Sequence, residues 1–161
     1  LGIDPKKEYG YHVLEPLATL RKDGVREVAR LLGLPQELTE RIPFPGPALA
    51  TRIVGGVTEE RLATVRAATA IVEEELAGSG WFQYLAVLLN DKATGIRNGE
   101  REFGQIIVVR AIDSVDARTA TAVDLPWAKL RRICERVTAI PGVNRCLYDL
   151  TPTPPAPVEY V

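Results

Sequence analysis

Pro43, Pro45 and Pro47 alternate with Phe44 and Gly46, and no other feature of this sequence restricts the fold as much. Proline fixes φ, removes a backbone N–H and pushes the residue before it toward extended geometry. Residues 41–49 can therefore form neither a helix nor a central strand. They predict a stiff loop with free carbonyls, in which Gly46 lets another group approach the backbone closely. Passive linkers are more often flexible and polar. A rigid loop between two helical segments is better suited to positioning something.

The segments on either side follow recognisable periods. Residues 1–20 read as irregular, with Pro5, Gly10 and Pro16. Residues 22–32 read as a helix with Val25, Val28, Ala29, Leu31 and Leu32 on its apolar face, stopped by Gly33-Leu34-Pro35. Thr58 is the expected N-cap of a long helix, with Glu59 and Glu60 in its first turn. Leu62, Val65, Thr69, Val72 and Leu76 repeat at three and four, which marks its buried face. Glu73, Glu74 and Glu75 oppose the dipole at its far end and need solvent or a basic partner. Gly78-Ser79-Gly80 ends it. Residues 82–89 and 105–112 read as strands, the second a central one broken only by Arg110. Asn98-Gly99 between them is a hairpin signal. Residues 120–139 contain a helix, clearest from Pro126 onward, where proline suits the first turn, with Leu130, Ile133, Cys134 and Val137 inward. Pro141-Gly142 turns the chain into a last strand over residues 143–150. Strands covered by helices on one face predict an α+β two-layer domain.

Composition excludes several classes of function. The net charge is −1, so nothing in the overall charge favours nucleic acid or an anionic membrane. No apolar run approaches the roughly 20 residues of a membrane span, and no signal-peptide pattern is present. Cys134 and Cys146 lack metal spacing and read as reduced core cysteines of a cytoplasmic protein. Methionine is absent even at position 1, which predicts a piece of a longer product. His12 has no evident nucleophile to serve and reads as a surface or linker residue. Asp113 and Asp116 read as loop-solvating acids. No Walker loop, Gly-rich nucleotide loop or metal-ligand cluster appears. Arg41, Arg52, Arg101, Arg110 and Arg145 flank loops and strand ends, where a guanidinium fork suits phosphate or carboxylate and equally suits a surface ion pair. The tail, residues 151–161, holds four prolines and on composition alone reads as a frayed polyproline end.

Taken together, these segments resemble one family. Gly33-Leu34-Pro35, then residues 41–49 with Arg52, is similar to the pattern L-G-L-P…R-x-P-F-P-G-P-G-L-x-x-R of GMP synthetases. Lys22-Asp23-Gly24-Val25-Arg26 resembles the K-D-E-V-R before it. Val109-Arg110-Ala111-Ile112, with Asp116 and Thr119-Ala120, resembles the stretch after the family's hairpin. Arg145, Tyr148-Asp149-Leu150 and Pro154-Pro155-Ala156…Glu159 are similar to R-V-x-Y-D-I…K-P-P-A-T-I-E. The resemblance runs in order from about residue 14 to the end.

The resemblance implies that residues 1–40 are the end of an ATP pyrophosphatase domain. Residues 41–161 would form a C-terminal dimerisation domain, an antiparallel sheet covered by helices. The family converts XMP to GMP: ATP, with magnesium, adenylates the purine 2-oxygen, and ammonia from a glutaminase domain or subunit displaces AMP. The adenylating S-G-G-x-D-S loop and the glutaminase triad are absent here, so this segment would catalyse nothing alone and need no cofactor of its own. It would supply a homodimer interface and part of the XMP site. The loop around Pro45 and Gly46 would lie against the nucleotide, lining a common recess with the tail. Gln83 matches a glutamine that contacts XMP. Arg145 matches an arginine reaching the phosphate across the dimer interface. Val158 and Glu159 match the tail residues that place the purine. Arg101, after the hairpin, and Thr153, in the tail, complete the candidate nucleotide set.

Four positions depart from the family pattern. Thr153 replaces a lysine, Gly99 an acid before Arg101, Ala48 a glycine and Pro157 a threonine. One lost charged hydrogen bond, worth roughly 1.5–3 kcal/mol, would weaken XMP binding by about one to two orders of magnitude. Two alternatives therefore stand beside a GMP synthetase. One is a divergent paralogue that keeps only a non-catalytic dimerisation module. The other is a pyrophosphatase-linked amidating enzyme for another substrate.

Overall fold

The computed structural model describes residues 5–10, 12–39, 48–115 and 118–161. Arg41, the proline loop with Pro45 and Gly46, and Asp116 lie outside the described residues. The chain divides into two compact units, Leu1–Ile42 and Pro43–Val161.

The first unit carries α1 (Pro5–Tyr9), α2 (Lys22–Leu31) and α3 (Gln36–Thr39). α1 stands where an irregular segment was expected. Pro5 occupies its first position, where the missing N–H costs nothing, and Gly10 ends it at φ 74° with its N–H on the Lys6 carbonyl. α2 stops where Gly33 adopts φ 73°, while the Gly33 and Leu34 amides return to the Arg30 and Ala29 carbonyls.

The second unit begins with a 3-10 helix, Ala48–Arg52, followed by α4 (Glu59–Leu76), β1 (Gln83–Arg97), β2 (Glu100–Asp113), β3 (Thr121–Ala122), α5 (Trp127–Thr138) and β4 (Val143–Tyr148). α4 starts as its sequence dictates: the Thr58 hydroxyl accepts from the Arg61 amide at 3.3 Å. Val65, Ala68, Thr69, Val72 and Leu76 are buried along one face. The acids at its end find the bases they need. Glu75 accepts from Arg132 at 2.8 Å and Arg136 at 2.7 Å, and Glu74 accepts from Arg136 at 2.5 Å, tying α4 to α5. The Arg136 bond is the main influence on Glu75. With Arg132 beside it, it holds that carboxyl below the usual range although burial pushes the other way.

β2 is the centre of the sheet. It pairs antiparallel with β1 and with β3, and parallel with β4. The α+β two-layer expectation holds, but the sheet is mixed rather than antiparallel. α5 intervenes between β3 and β4 and carries the chain back along the sheet, so β4 must run in the direction of β2. The hairpin is as expected: Asn98 and Gly99 adopt φ 52° and 83°, directly between the pair Arg97 and Glu100. Both strands run longer than their apolar cores, carrying the hairpin out to its tip.

Side chains alternate across the strands. Ala86, Leu88, Ile107, Val109 and Ala111 are buried on the face that meets α4 and α5. The opposite face carries Gln83, Leu85 and Val87 from β1, and Val108, Arg110 and Ile112 from β2. Leu85, Val87 and Val108 are buried there under Val54, Leu89, Val158 and Tyr160. The tail is therefore a docked element and not a frayed end. Val158 and Tyr160, two residues apart after the last proline, pack against that cluster. Cys134 and Cys146 are free thiols, and burial, with Cys134 alongside, pushes Cys146 up to about 12. Among the described residues, no helix is long and apolar enough to cross a membrane.

Candidate functional site

The tail brings two charged clusters onto the face of the sheet away from the helices. The first is built on Glu159. Ile53 bridges Leu88 of β1, and the Val54 amide donates to the Leu88 carbonyl at 2.9 Å. Strand alternation then turns Arg52 and Val54 to the tail side. Arg52 is 1% exposed and meets the Glu159 carboxylate side-on, Nε to Oε2 at 3.3 Å and Nη2 to Oε1 at 3.2 Å. Gln83, also buried, donates its Nε2 to the same Oε1 at 2.9 Å. Three donors thus converge on one carboxylate, and the buried Arg52 charge finds the partner it requires.

The second cluster is built on Arg110, the one charge in the apolar part of β2. It is 1% exposed and donates Nη1 to Asp149 Oδ2 at 2.7 Å and Nη2 to the Thr153 hydroxyl at 3.2 Å. The Tyr160 hydroxyl donates to the same Oδ2 at 2.7 Å, and the Thr151 amide donates to Oδ1 at 2.8 Å. Burial raises the Asp149 carboxyl, but hydrogen bonds from Thr151 and Tyr160 and the Arg110 charge outweigh it and hold the group at about 2. The same surroundings act oppositely on Tyr160. Burial, then the bond to anionic Asp149, pushes its phenol up to about 12. Tyr148, on the helix side, rises to about 12 chiefly by burial, and donates to the Val123 carbonyl at 2.7 Å. Reciprocal bonds between the Ala120 and Thr153 backbones, at 3.0 and 2.8 Å, fix the start of the tail.

Of the candidate residues read from sequence, Gln83, Val158 and Glu159 are brought together, with Thr153 on the neighbouring cluster. Arg101 and Arg145 are not in that group. Gln83 is in register with Ile112 of β2, whereas Arg145 is in register with Ile106. Six residues of strand separate them by about 20 Å. Arg101 pairs with Ile96 near the hairpin tip, farther still. Arg145 instead donates to the Thr94 carbonyl at 3.0 Å. Pro45 and Gly46 lie outside the described residues. Two roles were not foreseen from sequence. Arg52 was one arginine among five, yet it is the direct partner of Glu159. Arg110, Asp149 and Tyr160 form a cluster that no sequence reading joined, although Arg110 and Asp149 each lie in a segment that resembles the family. Ala48, where the family pattern has glycine, adopts φ 58°, the left-handed region that glycine favours.

Comparison with known proteins decides the family. Residues 69–160 match the model of the GMP synthase C-terminal domain. The chain belongs to the GMP synthase C-terminal domain family. Its similarity to members of that family also reaches upstream of the domain. It is 54% identical over 149 residues to the B-type subunit of GMP synthase (glutamine-hydrolyzing) of Archaeoglobus fulgidus, covering 92% of this chain and 49% of the relative. It is 49% identical over 156 residues to the corresponding protein of Methanopyrus kandleri, covering 92% and 50%. It is 48% identical over 155 residues to GMP synthase (glutamine-hydrolyzing) of Thermomicrobium roseum, covering 93% and 29%. The chain spans about half the length of the two archaeal relatives. It thus corresponds to the C-terminal region of a GMP synthase, as the proline-loop and tail motifs implied.

Proposed function

We propose that this chain is the C-terminal, non-catalytic portion of an enzyme that aminates XMP to GMP, and that it contributes a homodimer interface and part of the XMP site. The observation that carries this reading is the convergence of Gln83, Val158 and Glu159 on one end of the sheet. A carboxylate held beside an amide suits the ring N–H and carbonyl groups of a xanthine edge. Residues 1–40 are read as the end of an ATP pyrophosphatase domain and residues 41–161 as the dimerisation domain. Pro45, Gly46 and Arg101 remain in the proposed nucleotide set, with Arg145 reaching the phosphate from the second protomer. ATP and magnesium belong to the intact enzyme. Among the described residues no group of three or more His, Cys, Asp or Glu could hold a metal ion. Ammonia would come from a glutaminase subunit or domain, and the protein would work in the cytoplasm.

Thr153 favours a second reading, a dimerisation module that has lost XMP. Where the family pattern has a lysine, this chain has a hydroxyl already bound to Arg110, and that guanidinium is neutralised by Asp149. One experiment separates the readings. The full-length protein carrying this chain is given XMP, ATP, Mg2+ and ammonium, and AMP release is followed. XMP-dependent AMP release is expected. A protein that sediments as a dimer and releases no AMP with XMP would support the module instead.

A further inference from the structure

We infer that Arg52 is a positioning residue for XMP recognition, acting through Glu159; the inference rests on the proposed XMP site. A carboxylate offers about four acceptor positions, two on each oxygen. Oε1 of Glu159 takes Arg52 Nη2 and Gln83 Nε2, and both its positions are used. Oε2 takes only Arg52 Nε among the described residues, and one position is left. The carboxylate is 19% exposed while Arg52 behind it is 1% exposed. The arginine therefore sits on the protein side and the open acceptor position belongs to Oε2. A single ring N–H of the base is the donor that fits it.

Nothing else on the tail fixes that direction. Val158 and Tyr160 are held by apolar packing and by Asp149, which set where the chain runs but not the rotation of the Glu159 side chain. Gln83 holds one oxygen only. The planar fork of Arg52 grips both oxygens and defines the carboxylate plane, which a lysine ammonium cannot do. Arg52 thus determines which way the acceptor faces without touching the nucleotide.

The test uses the full-length protein and steady-state assays varying XMP and ATP separately. Arg52→Gln and Glu159→Gln are each expected to raise the KM for XMP at least tenfold with the KM for ATP unchanged. The double variant is expected to be no worse than Glu159→Gln alone, because Arg52 acts on the nucleotide through that carboxylate. Arg52→Lys, which keeps the charge and the fold's ion pair but loses the fork, is expected to stay closer to Arg52→Gln than to wild type. The inference is overturned if the two single effects multiply in the double variant, if the KM for ATP rises in step, or if Arg52→Gln stays within twofold of wild type. Wild-type protein that takes no XMP would overturn the functional reading and this inference with it. Wild-type protein that takes XMP beside an indifferent Arg52→Gln overturns this inference alone.

Discussion

Replacing Asp149 by asparagine should remove the anchor of the tail, and the structure sets the size of the effect. Oδ2 accepts from both Arg110 and Tyr160, and Oδ1 accepts from the Thr151 amide. An amide has one oxygen. Either the oxygen keeps Arg110 and Tyr160 and the NH2 group faces the Thr151 amide, or the NH2 group faces Arg110 and Tyr160; both ways the buried Arg110 charge loses its anionic partner. Breaking a buried pair from one side costs about 3–5 kcal/mol. The retained amide oxygen puts this case at the lower end, about 3 kcal/mol. The proton linkage gives a similar figure: a fall from the usual 3.8 to about 2 in the folded protein corresponds to about 2 kcal/mol. The sign follows from the direction. Asp149 is the stronger acid when folded, so its contribution is complete above pH 3.8 and fades as pH falls through about 2. Both tryptophans, Trp81 and Trp127, lie in the unit Pro43–Val161, so their fluorescence in urea reports that unit. Asp149→Asn should lose about 3 kcal/mol at pH 7, and the gap to wild type should narrow between pH 4 and pH 2. A loss under about 1 kcal/mol at pH 7, or a gap independent of pH, would refute the reasoning.

Three further substitutions follow from backbone and carbonyl geometry. Ala48→Gly should stabilise the chain by about 0.5–1 kcal/mol in the same urea titration, because Ala48 holds φ 58° at the cost of its Cβ; an unchanged midpoint would show that the position is unstrained. Gly104→Ala should cost about 1–3 kcal/mol, since a Cβ there would stand 2.6 Å from the Gly142 carbonyl, which also accepts from the Gln105 amide. Relief by Asn144→Ala in the same chain should be partial, because the backbone contact remains. Arg61→Gln should cost about 2 kcal/mol, read as a fall in melting temperature. The Arg61 guanidinium donates to the Gly56, Val54 and Leu89 carbonyls at 2.5, 2.9 and 3.0 Å and holds the strand after Arg52 against β1.

What could be read in the sequence was what rests on local rules. Thr58 had to cap a helix, Asn98-Gly99 had to turn a hairpin, and Pro126 had to stand at the start of α5. Each depends on the φ and hydrogen-bonding limits of one or two residues. α1 was missed because Pro5 was read as a breaker, though it is harmless at a first helical position. The parallel pairing of β4 was missed because strand direction depends on where α5 returns the chain, which no periodicity encodes. At the site, Gln83 and Glu159 were read from a family motif. Physical reasoning from composition alone pointed the other way, toward a frayed proline tail. Arg52 received no role because its partner lies 107 residues away, and no local pattern links the two.

That separation also has a consequence for assembly. Closing a loop of this length in a free chain costs about 4 kcal/mol in entropy, more than one charged hydrogen-bond contact returns, at roughly 1.5–3 kcal/mol. The two ends cannot find each other by their own attraction. They are expected to meet only after β1 and β2 have zipped and the intervening chain is already short-circuited. A half-folded molecule therefore holds no oriented Glu159 carboxylate, and the Arg52–Glu159 pair should form with the final cooperative step of folding.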